Sequence, residues 1–258
     1  MSEVKEKFYE LLKPTLENKG YVFKKSKEQF LKIENDIHFR IQFRWDGRGG
    51  ASHLDEISVI IFSNTVAKAY SDITGLKTEG HNWHLFTSER STYFVDTEPN
   101  KSPVKEGGIG DLSHIKMYYQ IPPMLSKDAQ QFFNDMNLRG MKTLTFEEKY
   151  PLEKIKNCVA KVENLLEKKL LNFIEENNSE TKILDSLITK FNLNIESNAD
   201  YCCSLSVLIK LYSKKLNIKT NVKFPSDADI VSHYKNRFGY MEHSNFDGMF
   251  SKIDNYKF

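Results

Sequence analysis

Cysteine is scarce in this chain. Three of its 258 residues are cysteines, two of them are adjacent, and no Cys-x-x-Cys pair occurs. A disulfide framework needs an even set of spaced cysteines, and a structural zinc site needs paired ligands at short spacing. The sequence therefore excludes both a disulfide framework and a structural zinc site. Cys202 and Cys203 fall on the apolar side or flank of a predicted helix, where cysteine behaves as a small hydrophobic residue.

Long apolar runs are lacking as well. Runs such as 59–62 stop far short of the ~20 residues that cross a bilayer. Residues 1–12 mix acids and bases with apolar side chains instead of forming the apolar core of a signal peptide. We therefore predict no membrane segment and a cytoplasmic location.

Neither sign of charge is in excess. The chain carries 37 basic and 35 acidic residues, a formal net charge of +2. A dedicated nucleic-acid-binding domain usually has a strong basic surplus. Hydrophobic residues at 40% and aromatic residues at 12% instead describe an ordinary globular protein. A chain of this length buries enough surface to fold without staples.

The N-terminal half shows first a helical and then a strand period. Apolar residues recur every three or four positions over 3–18, although Pro14 inside that pattern predicts a kink or a break near Leu12-Lys13. From Tyr21 the period becomes two, with turn residues separating short strands and the clearest alternation over 37–46. The pattern predicts an N-terminal helix followed by an antiparallel β-meander.

The C-terminal half reads as helical. An amphipathic pattern covers 151–174, and Ser179, Asn198 and Ser226 are suitable first caps of three further helices. The predicted class is α+β. We predict an α+β sheet domain over 1–140 and, over 151–258, a helical domain or a helical cover of the same core.

Two opposite faces are expected on the strand at 37–46. Phe39, Phe43 and Trp45 alternate with Arg40 and Arg44, so the rings should fill the core while the charged groups lie in solvent. The alternative is a nucleic-acid-binding protein, or an enzyme that processes nucleic acid, in which the basic face carries phosphate. That interpretation uses three arginines: Arg40, Arg44 and Arg48.

No pattern in the sequence has the full set of residues and the spacing of a catalytic or cofactor-binding motif. The glycines at 47–50 and 107–110 lack the Lys-Ser/Thr of a phosphate loop and read as turns. His81 and His84 would share a face only on a helix, and the local pattern favours strand or loop. We expect no metal, no cofactor and no catalytic residue, although an enzymatic activity is left open.

An acidic segment follows the first strands and surrounds the longest predicted loop. Long loops in compact domains often carry binding residues. Acidic side chains there would steer a basic partner protein toward the chain. The candidate partner-binding residues are Asp55, Glu56, Glu89, Asp96, Glu98, Glu106 and Asp111.

The first ~100 residues resemble bacterial families of domains of unknown function. The resemblance rests on the order of elements: an amphipathic helix, the step Gly20-Tyr21-Val22-Phe23-Lys24, a short hairpin with Phe30, a long strand, and a strand leading into a short helix. Some members of such families are encoded near toxin genes. The resemblance implies a protein-binding module without catalysis, such as an immunity protein that neutralises a basic toxin domain.

Overall fold

The computed structural model of the protein describes residues 3–46, 53–76, 85–90, 152–196, 198–237 and 246–258. It has an N-terminal helix, a five-stranded antiparallel sheet and a helical C-terminal half. The predicted α+β class is confirmed.

The strands follow one another in the sheet in the order of the chain, β1-β2-β3-β4-β5. β1 and β2 form an antiparallel hairpin in which Phe23 lies opposite Phe30, and β2 places Phe30 opposite Ile41 of β3. The strands are β1 Val22–Lys24, β2 Gln29–Glu34, β3 Ile37–Asp46, β4 His53–Ser63 and β5 Leu85–Arg90. The predicted meander is therefore present.

Two helices begin directly after the capping residues that the sequence predicts. Ser179 caps α5 and Asn198 caps α6 as predicted, and Ser63 caps α2. Each side chain accepts a hydrogen bond from the main-chain N–H three residues further along. A π-helical turn at Leu166–Leu170 joins α3 to α4, so the predicted long helix carries an extra residue in one turn. The helices are α1 Glu3–Glu17, α2 Asn64–Thr74, α3 Leu152–Leu165, α4 Leu171–Glu176, α5 Glu180–Asn194, α6 Ala199–Leu216, α7 Asp227–Arg237 and α8 Met249–Asn255.

One compact unit contains α1, the end of β3, the start of β4 and α3. Its core includes an aromatic cluster in which Phe8 meets both Phe43 and Trp45 edge to face, and the indole N–H of Trp45 donates to the Tyr9 hydroxyl at 3.0 Å. Of the kink or break predicted near Leu12-Lys13, the break is wrong, since α1 continues through Pro14 to Glu17. Pro14 is exposed, whereas Leu12 and Leu16 on either side are fully buried and hold the helix through the proline.

The second compact unit contains β1, β2, the first part of β3, the end of β4, α2 and the helices from α4 onward. Within it α6 packs against α2, α5, α7 and α8. The C-terminal segment is anchored in this unit, because Phe246, Met249 and Ile253 are almost completely buried. Cys202 and Cys203 are buried free thiols on α6.

Other predictions fall on parts of the chain outside the described ranges. The sequence patterns also predict a strand at 92–95, a loop at 97–111 and a helix at 126–140. These segments lie there, together with the glycine turns at 47–50 and 107–110 and the boundary between 140 and 151. They stay predictions. None of the described helices is long and apolar enough to cross a membrane.

Candidate functional site

The rings of β3 point inward, as the alternation predicts. Phe39 and Ile41 are 1% and 0% exposed, and Phe43 is also buried. The opposite face of the sheet, within the second unit, carries a mixed group of apolar and basic side chains. We call this group the sheet surface; it consists of Val22, Lys24, Leu31, Ile33, His38 and Arg40.

The strand register arranges the sheet surface in rows. Val22 of β1 lies opposite Leu31 of β2, and Leu31 lies opposite Arg40 of β3. Ile33 lies opposite His38 one pair further along. Side chains directly opposite on one face are close enough to touch, so the aliphatic groups form a continuous strip beside the basic ones.

The aliphatic part of the sheet surface is open to solvent. Val22 and Ile33 are each 53% exposed, and Leu31 between them is half-buried. Nearer the end of the hairpin, Gln29 is buried and its side chain accepts a hydrogen bond from the Gln42 amide at 2.9 Å. The two hydrogen-bonded glutamines therefore border the aliphatic strip on one side.

Arg40 is not the freely solvated side chain that the sequence predicts. It is half-buried, and its guanidinium carbon lies 4.6 Å from the centroid of the buried Phe62 ring. The His38 ring also contacts Phe62, at 4.9 Å between centroids. Burial lowers the pKa of His38 and the charge of Arg40 lowers it further, against the opposing effect of Asp36. His38 is therefore neutral at physiological pH, and Arg40 and Lys24 supply the positive charge of this face.

Two residues that the sequence assigned to different surfaces form an ion pair in the first unit. Arg44 is exposed, and its guanidinium lies 3.3 Å from the carboxylate of Glu56. Glu56 itself is only 7% exposed. A buried carboxylate with a basic neighbour does not fit the expected role of steering a partner, so Glu56 is better explained as a structural group.

The rest of the predicted acidic surface lies beyond what the structure describes. Asp55 belongs to β4 and Glu89 to β5, and their side chains lie outside what the structure describes. The other acidic candidates, Asp96, Glu98, Glu106 and Asp111, lie outside the described residues, as do Arg48, His81 and His84. Their roles stay predictions.

The nucleic-acid alternative required stacking rings beside the arginines. Phe39 and Phe43 are buried on the opposite side of the strand, and Trp45 is held by Tyr9. The strand therefore does not present Arg40 and these rings on one face. Base stacking, which contributes to the sequence-tolerant binding of single strands, is not available from them.

A polar cluster that the sequence did not reveal joins four elements of the second unit. Asp36, in the β2–β3 turn, accepts hydrogen bonds from the Ser63 hydroxyl at 2.6 Å and from the Lys215 ammonium at 2.7 Å. The same ammonium donates to Glu180 at the start of α5, at 2.5 Å. Asp36 and Lys215 are 179 positions apart in the chain, so no local motif links them.

The electrostatics of this cluster are those of a structural ion pair. Burial alone would raise the pKa of Asp36, but the hydrogen bonds from Lys215, Ser63 and Thr65 outweigh it and lower the pKa to about 2. Burial alone would lower the pKa of Lys215, yet its bonds to Asp36 and Glu180 raise it. A general base needs a pKa near the working pH. Lys215 is therefore a poor base, and the Ser63 hydroxyl is fully buried as a helix cap.

In the described part of the chain, no group of three or more histidine, cysteine, aspartate or glutamate side chains could hold an ion. The histidine pair at 81 and 84 falls outside that part.

The comparisons with known proteins give no relative. The chain matches no protein-family model, and no curated protein and no solved structure is significantly similar to it. The resemblance of the first ~100 residues to bacterial domains of unknown function therefore stays a prediction.

The aliphatic strip was missed by sequence reasoning although its signal is present. Val22, Leu31 and Ile33 lie on strand positions that alternate with Phe23, the buried Phe30 and Lys32, which point to the other face. An apolar residue on the polar side of an alternating strand is a departure from the pattern that could have marked them.

Proposed function

We propose that the protein is a non-catalytic protein-binding module and that the sheet surface is its contact surface. The observation that carries this proposal is the exposure of Val22 and Ile33, at 53% each, on a regular sheet face beside Arg40 and Lys24. A single exposed aliphatic side chain is common in soluble proteins. Here two of them are aligned across two paired strands with the half-buried Leu31 between them, and a contiguous patch of that kind marks an interaction site more often.

The composition of the sheet surface also suits a protein partner. Interfaces combine an apolar centre with a polar rim, and arginine is enriched among the residues that contribute most to binding. Arg40 is held over Phe62, so its side chain loses less conformational freedom when a partner arrives. The two paired glutamines provide a satisfied polar border on one side.

An immunity protein that occludes a toxin is one form of such a module. That narrower prediction depended on acidic side chains between residues 55 and 111, among which Glu56 alone has a described side chain. Because Glu56 is buried against Arg44, the proposal places the contact on the sheet surface instead.

A site-specific crosslinker tests the proposal. Ile33 is replaced by a photoreactive phenylalanine derivative in the native host, and Lys223, an exposed residue of the same unit, is replaced in a control strain. We expect a crosslinked protein from position 33 and not from position 223. The recovered protein is then purified and titrated against the unmodified chain and against the Ile33→Asp variant.

The titration decides whether the crosslink reports a real interface. A charged group in an apolar contact should weaken binding by about tenfold or more. Lys223→Asp should leave the affinity unchanged. The proposal is contradicted if position 33 yields no protein, or if Ile33→Asp binds the recovered protein as tightly as the unmodified chain does.

A further inference from the structure

The terminal strand of the sheet points to the kind of partner. In the strand order of the described residues, β1 is the first strand and β2 is its neighbour. A terminal strand offers its outer main-chain edge to an additional strand. Proteins recognise extended peptides in this way, with main-chain hydrogen bonds giving affinity and alternate side chains giving specificity.

The side chains of β1 on the sheet surface define what a neighbouring strand would meet. Val22 and Lys24 point to this face and are both exposed. A strand added beside β1 would place one side chain next to Val22, extending the row that runs through Leu31 to Arg40. Its side chain two positions away would lie next to Lys24.

The basic side chains of the sheet surface favour acidic side chains on the incoming strand. Lys24 and the half-buried Arg40 are the basic members of the sheet surface, and His38 is neutral because burial and Arg40 lower its pKa. An acidic side chain directly across from a lysine is favourable, whereas a basic one is repelled. A lysine on a terminal strand also opposes pairing with an identical edge.

We propose that the sheet surface binds an acidic, extended segment of a partner protein, which adds to the sheet beside β1. Its side chains on this face alternate between an aliphatic residue next to Val22 and a carboxylate next to Lys24. This inference rests on the proposed function, because it names the chemistry of the partner at the same surface.

Labelled peptides test the inference without the natural partner. The acidic probe is two repeats of Thr-Val-Thr-Glu, and its counterpart carries lysine in place of glutamate. A third peptide has the acidic sequence with every main-chain nitrogen methylated, which removes the donors needed for strand pairing. Binding is followed by fluorescence anisotropy at low ionic strength, where exposed charges are least screened.

The expected result is a preference for the acidic peptide of about fivefold over the lysine peptide. Lys24→Glu should reverse this preference. Lys223→Glu, which makes the same change in net charge at another exposed position, should preserve it. Both variants should melt within about 2 °C of the unmodified chain, as surface substitutions usually do.

Each other outcome overturns the inference in a recognisable way. Equal binding of both peptides, or equal weakening by Lys24→Glu and Lys223→Glu, removes the role of charge at β1. Full binding of the methylated peptide removes strand addition. A dimer in sedimentation experiments that excludes the acidic peptide would assign the edge to a second copy. If all peptides fail while the crosslinked partner still depends on Ile33, the proposed function stands and only the acidic strand is wrong.

Discussion

At the scale of single residues, the ionisable groups that the structure brings together hold the fold in place. Asp36 receives hydrogen bonds from the Ser63 hydroxyl, the Thr65 main chain and the Lys215 ammonium, which belong to separate parts of the chain. Removing Asp36 takes away one of the two carboxylates that pair with Lys215 and the acceptor of the buried Ser63 hydroxyl, and a buried donor that loses its acceptor is costly. The cluster therefore stabilises the junction of the β2–β3 turn with α2, α5 and α6.

The pH dependence of stability tests the role of Asp36. Its pKa in the folded chain is about 2, below the ordinary value of 3.8, so the stabilisation is complete above the ordinary value and is lost as the pH falls toward 2. We expect Asp36→Asn to lower the free energy of unfolding by about 2 kcal/mol at neutral pH. The variant should lose less stability than the unmodified chain between about pH 4 and pH 2.

A matched substitution separates this effect from the general response to acid. Asp185 is an exposed carboxylate on α5 of the same unit, and Asp185→Asn should follow the acid unfolding curve of the unmodified chain. Urea unfolding at a series of pH values measures all three proteins. Identical curves for Asp36→Asn and Asp185→Asn would contradict the structural role of the cluster.

At the scale of elements, periodicity decided what could be predicted. β3 was recognisable because its apolar and polar residues alternate without interruption, and the caps Ser179 and Asn198 marked two helix starts. Pro14 misled because it lies on the exposed side of α1. Burial of Leu12 and Leu16 then overrides the local propensity of the proline.

The two faces of the sheet should differ sharply in their response to substitution. Phe39→Ala removes a ring that is 1% exposed and should lower the free energy of unfolding by about 3–5 kcal/mol. Ile33→Thr on the outer face of β2 should change it by less than about 0.5 kcal/mol, since that side chain is 53% exposed. Urea unfolding of both variants checks the assignment of faces. Similar losses would mean that the sheet surface is covered in the folded chain.

At the scale of the whole molecule, the class of fold followed from the order of helical and strand patterns, whereas the candidate site did not. The residues of the sheet surface come from three strands, and their alignment depends on register, which the sequence does not state. The Asp36–Lys215 pair spans 179 positions and is invisible to any local pattern. Pairing between residues so far apart in the chain is determined by packing, so only the folded structure shows it.

Amide hydrogen exchange of the chain, alone and saturated with the protein recovered through position 33, tests the binding account most directly. We expect slower exchange over β1 and β2, residues 22–34, because a partner on the sheet surface shields those strands, and unchanged exchange over α5. Protection confined to other segments, or no change on saturation, would show that this protein does its binding elsewhere.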